Sequence, residues 1–549
     1  MTARDPIAVQ SPDVSNSTAQ ARTEIQEYLQ VSHERHKLFP RAALVGLCAG
    51  SVAVLFRALL AGADRLRNFL IDWSYGVPIC GWIFPMLFSA AGALISVTLV
   101  LRYAPETSGS GIPHLKAVLH RLRDLSWSRV LIIKMASGVL AIGGGLALGR
   151  EGPTVQMGGA VADGIARGLK ASPQDRLTLT AAGAGAGLAA AFNAPLSGLA
   201  FVLEEMQRDF RPAVFGASFI AAASADVVTR SASGQLPVFA VPDYAMPPLS
   251  ALPMFALLGI FAGLLGVAFN RGLLGTLDLM ARVPHRWRVG ICAAIGAVAG
   301  LIAWFSPRVV GDGHTLAEAV LTNEVSLLAI PLLFVVRFGL TLTSYGTGAA
   351  GGLFAPLLAL GALLGLGFGH LVHIFLPPLA VEPGVFAVVG MAAYFAAIVR
   401  APLTGILLIT EMTGSYEQML PLLVSSFCAY AVAEYLRDFP IYEALLERDL
   451  VRAGIGSTHA EPIVVEFEVN ATAPFAGQLV RELGLPAGCV LVRSYADGRE
   501  RVVTASTRLE PYMRITAVIA PEANHALEIL RRGCAAREQD KASLEQTIT

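Results

Sequence analysis

The sequence predicts an all-α polytopic membrane protein built on a duplicated unit, with a small α+β domain following it. Three observations lead there. Of 549 residues, 54% are apolar and only 15% charged, against about 25% charged in an ordinary soluble domain. The apolar residues cluster into runs such as Leu44–Leu60, Ile83–Leu101, Val214–Val228, Met254–Phe269, Leu327–Leu342 and Leu420–Val432, each near the length that crosses roughly 30 Å of hydrocarbon as a helix. Finally, one pattern of glycines, prolines and acids occurs twice, some two hundred residues apart.

In chain order, residues 1–38 form a polar N-terminal tail. Its first twenty residues are rich in Ser, Thr, Pro and Asp and read as disordered. Ala21–Leu38 is charged and amphipathic, as expected of a helix lying at the membrane surface. No cleavable signal pattern is visible in this tail, so the first hydrophobic helix is expected to direct insertion. His33, Arg35, His36, Lys37 and Arg41 precede the first span, and positive charge at a span end places it in the cytoplasm.

Residues 39–450 form the membrane domain, with around ten apolar stretches by a hydropathy reading. Its many glycines would weaken helices in water, but in lipid small residues let helix backbones approach closely. Formal net charge is zero, which gives no reason to expect a nucleic-acid partner. The six cysteines (Cys48, Cys80, Cys292, Cys428, Cys489, Cys534) show no C-x-x-C and no metal-ligand spacing, so neither metal nor cofactor is expected.

The duplication is legible residue by residue. Gly149-Arg150-Glu151-Gly152-Pro153 is echoed 203 residues later by Gly352-Leu353-Phe354-Ala355-Pro356. Gly183, Ala194-Pro195-Leu196, Gly198 and Glu204 return 207 residues later as Gly390, Ala401-Pro402-Leu403, Gly405 and Glu411. Duplicated transporter folds often invert the second copy and bring interrupted helices together near the midplane to bind substrate. The sequence shows the duplication and leaves the inversion open.

After a linker at 451–462, residues 463–533 read as a small cytoplasmic domain, and 534–549 as a polar tail. Strand-like runs lie at Ile463–Val469, Val490–Tyr495 and Ile515–Ile519, with a helical stretch at Ala476–Leu483. Asp497-Gly498 predicts a hairpin turn.

The chemistry concentrates at three Gly/Pro-punctuated breaks. At Gly149–Gln156 a helix is interrupted and another begins, leaving free N–H groups; these and the positive dipole end make an anion site. Glu151 is placed to occupy that site itself as a tethered carboxylate, and on protonation to give it up. Arg150–Glu151 could equally be an ion pair capping a helix at the membrane edge, a reading the Gly-rich break and its echo disfavour. Ser108-Gly109-Ser110-Gly111-Ile112-Pro113 adds the Ser110 hydroxyl, and Gly351–Pro356 adds the N–H groups of Leu353 and Phe354. Together they describe a site for a small desolvated anion, without a full positive charge to trap it.

These motifs carry a resemblance. Gly-Ser-Gly-Ile-Pro at 109–113, Gly-Arg-Glu-Gly-Pro at 149–153 and Gly-x-Phe-x-Pro at 352–356 resemble, in order and spacing, the anion-site motifs of the CLC chloride channels and transporters. Phe439-Pro440-Ile441-Tyr442 resembles the segment that supplies a tyrosine hydroxyl. The resemblance implies the CLC fold in a homodimer, chloride as substrate, and Ser110 and Tyr442 flanking an anion completed by the Leu353 and Phe354 N–H groups. Gly111, Ile112, Gly149, Arg150 and Gly152 belong to the same motifs, and Glu151 corresponds to the external gating glutamate. Serine at position 110 goes with chloride preference in the family.

Leu203-Glu204-Glu205-Met206 resembles the segment carrying the inner proton-transfer acid of antiporters, with Glu205 at the matching position. An intramembrane acid is a proton-relay candidate, and chloride/proton antiport is the expected activity, in a bacterial inner membrane. A pair of acids meeting cytoplasmic water, in a passive channel, is the alternative. His114 and Lys116 stand where a bacterial antiporter carries acids and are expected to be solvated, the alternative being that they alter proton entry; Lys134 is expected to snorkel, the alternative being that its charge favours anions in the pathway. Val464–Arg532 resembles the TrkA-C (RCK-C) domain of potassium-uptake regulators, which implies dimerisation or an unidentified ligand. No carbonyl filter supports potassium uptake, and no H-E-x-x-H or G-x-S-x-G supports an enzyme.

Overall fold

The computed structural model describes residues 14–454, 462–496, 499–520, 523 and 525–535. The chain divides into two compact units between Leu446 and Glu447.

The first unit is helical throughout. Its first half comprises α1 (Val14–Ser74), α2 (Ile83–Tyr103), α3 (Ile112–Leu119), α4 (Trp127–Gly143), α5 (Glu151–Gly168), α6 (Pro173–Phe192), α7 (Pro195–Phe201) and α8 (Pro212–Ser233). The second half answers with α9 (Leu252–Arg282), α10 (His285–Phe305), α11 (His314–Leu321), α12 (Ile330–Gly346), α13 (Phe354–Phe375), α14 (Pro383–Val399), α15 (Pro402–Thr413) and α16 (Met419–Tyr435). A last helix, α17 (Ile441–Arg452), leads out of the unit.

The two halves match in detail. Short α3 and α11 both follow a glycine in left-handed conformation, Gly111 at φ 82° and Gly313 at φ 87°. The closest helix pairs also match. A methyl at Gly158 of α5 would sit 2.2 Å from the Gly183 carbonyl oxygen of α6, and one at Gly361 of α13 would sit 2.5 Å from that of Gly390 of α14. Contact this close, without side chains between, is how membrane helices gain packing energy. At the centre, Gly149 and Gly352 exchange both backbone hydrogen bonds, at 2.7 and 2.6 Å, as an antiparallel pair. Equivalent residues of the two copies therefore run antiparallel where they meet, as an inverted repeat requires.

A second reciprocal contact ties the halves. The Glu204 carboxylate accepts from the N–H groups of Leu403 (3.1 Å) and Thr404 (2.7 Å) at the start of α15. Glu411, on α15, accepts from Leu196 (2.9 Å) and Ser197 (2.8 Å) at the start of α7. The Thr404 and Ser197 hydroxyls add a bond each, at 2.7 and 2.5 Å. Each half thus caps a helix of the other, satisfying donors that a helix start leaves open.

Among the described residues six helices are long and apolar enough to span a membrane: His36–Ser74, Ile83–Tyr103, Pro212–Ser233, Leu249–Arg282, Arg286–Phe305 and Phe354–Phe375. Four of the expected runs fall within these. Leu327–Leu342 overlaps the shorter α12 and Leu420–Val432 falls in the shorter α16, while Arg286–Phe305 and Phe354–Phe375 are not among the runs named above. Exposed apolar side chains such as Phe305, Val335 and Leu87 cover the outer helices, as a lipid-facing surface requires. Helix α1 continues through Pro40 without a break, so the expected surface helix and the first span form one helix.

The second unit is a four-stranded sheet with one helix. Strands β1 (Ile463–Glu468), β2 (Cys489–Ala496), β3 (Arg499–Val502) and β4 (Arg514–Ile519) lie in the order β1-β4-β2-β3, every pair antiparallel. Helix α18 (His525–Cys534) follows them. One face buries Leu491, Ile515, Ala517 and Ile519 with Val469, Leu509 and Leu530. The helix expected at Ala476–Leu483 is absent; only Val480–Glu482 makes a single 3₁₀ turn. Gly477 (φ 81°) and Gly484 (φ 64°) bracket the segment in left-handed conformations that a helix does not adopt. The Asp497-Gly498 turn lies outside the described residues.

Candidate functional site

The three helix breaks converge. A Cβ on Gly152, in the first turn of α5, would lie 2.9 Å from the Ser110 carbonyl oxygen and 3.0 Å from the Gly352 Cα. Gly152 is therefore where the segments before α3, α5 and α13 touch, and only a residue without a side chain lets them meet. Gly111 is held as tightly: its Cβ would fall 2.1 Å from Gln156 Oε1.

Ser110 is fully buried. Its Oγ accepts from the Ile112 N–H at 3.1 Å, and its own N–H donates to Tyr345 Oη at 3.4 Å. Leu353 and Phe354 are also fully buried. The Phe354 ring stacks on Tyr442 with centroids 6.1 Å apart, and packs on Phe395 and Phe201. Tyr442 is fully buried, and its Oη has no hydrogen-bond partner among the described residues. An unpaired buried hydroxyl costs free energy, and Tyr442 Oη keeps hydrogen-bonding capacity to spare.

Glu151 is 1% exposed. Its Oε2 accepts from the Ala355 N–H at 3.4 Å, at the start of α13. Its contact with Arg150 is loose, 3.9 Å from Nε, and the other arm of Arg150 faces Asp312 at 3.7 Å. Glu151 thus sits on the opposite half's helix start more than on its neighbour's charge. Beside it lies a small space of about 10 Å³, room for about one water, lined by Asp312, His314, Phe239, Ala355 and Met412 among others. A carboxylate at a helix N-terminus takes the kind of place that a bound anion takes.

Glu205 lies elsewhere, in the π-helical turn Val202–Met206 that ends α7. It is 1% exposed and accepts from Lys116 Nζ at 2.8 Å. Lys116 also bonds Glu443 on α17, at 2.8 Å. His114 and Lys116 are 7% and 4% exposed, so neither is solvated as expected. Helix α3 is embedded against α5 and α6, and the burial follows from that position. Lys134 does not snorkel. It is fully buried, and its Nζ donates to the carbonyls of Thr107 (2.8 Å) and Gly109 (2.7 Å), which the break before α3 leaves free.

Ser110, Gly111, Ile112, Gly149, Gly152, Leu353, Phe354 and Tyr442 are thus brought to one buried region with Glu151, while Arg150 turns toward Asp312. Tyr345, Lys134, Lys116 and Glu443 were missed or misread. Asp312 had a signal: it is the repeat counterpart of Ser110, 202 residues on, and its Oδ1 accepts from the His314 N–H at 3.0 Å as Ser110 Oγ does from Ile112.

An inverted pair of helical halves whose broken helices meet at buried hydroxyl, amide and carboxylate groups defines an ion-transport membrane protein. The family model described as voltage gated chloride channel matches residues 92–434. The chain is 43% identical over 415 residues to the H(+)/Cl(-) exchange transporter ClcA of Vibrio parahaemolyticus, covering 74% of this chain and 89% of that protein. With ClcA of Vibrio cholerae it shares 41% over 432 residues, 78% and 92% of the two chains. The crystal structure of a slow cyanobacterial Cl-/H+ antiporter superposes with a TM-score of 0.74 at 37% identity, covering 76% of this chain and 99% of that one. The chain belongs to the voltage-gated chloride channel (CLC) family.

Proposed function

We propose that this chain exchanges chloride for protons across a bacterial inner membrane, through one pathway in each subunit of a homodimer. The observation that carries the reading is a pair of carboxylates, Glu151 and Glu205, each 1% exposed inside the helical unit, with Glu151 seated on the α13 start. Buried acids inside a membrane domain are retained for what they do. The anion rests between the hydroxyls of Ser110 and Tyr442 and the N–H groups of Leu353 and Phe354. Gly111, Ile112, Gly149, Arg150 and Gly152 shape the approach. Ionised, Glu151 competes for the anion's place; protonated, it releases it, so occupancy by chloride and by a proton alternate. Glu205 serves the same protons from the other side.

Both termini are assigned to the cytoplasm. The membrane domain is assigned to 39–450 between the 1–38 tail and the 451–462 linker, and the TrkA-C-like segment 463–533 to dimer stability or to binding an unidentified ligand, ahead of the 534–549 tail. One observation favours a second reading, a passive chloride channel. Lys116 holds Glu205 in an ion pair at 2.8 Å, the contact expected of a purely structural acid at a helix end. Purified protein in liposomes with a chloride gradient and a pH-sensitive dye decides between them. Protons driven uphill by chloride establish exchange, and Glu151→Gln then leaves chloride flux without proton movement. Chloride flux without protons in the wild type makes it a channel.

A further inference from the structure

The Lys116–Glu205 pair has a third member whose placement the anion pathway does not explain. Glu443 follows Tyr442 on α17, and its side chain is 25% exposed, whereas those of Lys116 and Glu205 are 5% and 1% exposed. Lys116 Nζ stands 2.8 Å from one oxygen of each acid. The same Glu443 oxygen meets Arg208, which is 59% exposed. The other oxygen, Oε2, is buried without a hydrogen-bond partner among the described residues. Acid, amine and acid therefore form a continuous hydrogen-bonded line from partly exposed to fully buried.

Two carboxylates share one buried ammonium, and the second cation, Arg208, is largely exposed and reaches only Glu443. Of the two acids Glu443 is the one with access to water, its side chain being 25% exposed against 1% for Glu205.

We propose that Glu443 is the water-facing acid that supplies protons to Glu205, with Lys116 as the carrier between them; this rests on the exchange reading above. Water protonates the Glu443 carboxylate. The Lys116 ammonium gives a proton to Glu205, breaking one N–H bond and forming one O–H bond. The neutral amine then takes the Glu443 proton, restoring the N–H bond and the lysine's charge. The net result is one proton moved from Glu443 to Glu205. The competing role is mechanical: the Lys116–Glu443 bond also ties α17, which carries Tyr442, to α3, which follows Ser110.

The test uses the full chain in liposomes, with chloride efflux and proton uptake recorded together, and chloride affinity measured by calorimetry in detergent. In Glu443→Gln, proton uptake per chloride is expected to fall at least fivefold while chloride still leaves, and Glu443→Asp to restore most of it. Lys116→Met, which interrupts the line and keeps both acids, is expected to lose coupling similarly and stands in if Glu443→Gln cannot be recovered. A wild-type ratio in Glu443→Gln or Lys116→Met overturns the proposal. So does weakened chloride affinity with the ratio intact, which would make the contact a latch on Tyr442. A wild type that moves chloride and no protons overturns the exchange reading itself, a result distinct from either.

Discussion

Lys134→Met tests whether a cation that never touches the anion still helps to hold it. Lys134 is fully buried and bonded to the Thr107 and Gly109 carbonyls. Gly109 immediately precedes Ser110, which puts the ammonium on the order of 8 Å from an anion at the Ser110 hydroxyl. At an effective dielectric of about 20, that separation gives roughly 2 kcal/mol of attraction, or about thirtyfold in affinity. Stability is a poorer readout. Freed carbonyls cost about 1–3 kcal/mol each, but a buried ammonium no longer has to be desolvated, and the two effects oppose each other. Chloride binding to purified protein by calorimetry is therefore the assay, with the melting temperature as control. An affinity loss of ten- to thirtyfold is expected. Unchanged affinity would mean that the two carbonyl dipoles already cancel the charge, and the field argument would be refuted.

The reciprocal caps predict that Glu204→Gln and Glu411→Gln each destabilise the fold by about 1–3 kcal/mol, to similar extents, in thermal melts in detergent. A large inequality would contradict the equivalence of the halves. Gly365→Ala places a methyl 1.9 Å from the Phe386 carbonyl oxygen, so α13 and α14 must separate at a cost of about 1–3 kcal/mol or more; size-exclusion profiles should show loss of the monodisperse species. Gly275→Ala, with nothing within 4 Å of its Cβ, should be tolerated in the same assay. In the second unit, burial pushes the Cys534 thiol up to about 11, leaving little thiolate at pH 8. Alkylation at that pH, followed by mass spectrometry, should label exposed Cys80 well before Cys534; equal rates would show that α18 opens readily.

The duplicated core and its three breaks were legible because glycine and proline mark them, and those residues act locally. Ser110, Glu151, Leu353 and Phe354 could be read from the breaks alone. Tyr442 could not: it lies beyond the repeat, and its proximity to Phe354 is a tertiary fact, reached in the sequence only by resemblance. The errors share a cause. His114, Lys116 and Lys134 look like residues that seek water, and in a helix of ordinary surroundings they would. Whether a short helix such as α3 is enclosed depends on α5 and α6, which no local pattern reveals. In the second unit a helical-looking composition at Ala476–Leu483 gave way to two left-handed glycines.

The crossed carboxylate caps have a consequence for biosynthesis. The α7 start needs Glu411, which is 215 residues downstream of Leu196. At 5–20 residues per second, the ribosome delivers it about 10–40 s later. Through that interval the first half sits in the bilayer with open donors, whose partners exist only once the second half has been inserted and turned over beside it. Commitment to the native arrangement therefore comes late. A chain released early, after α8, would contain every helix of one copy and still lack the groups that close it.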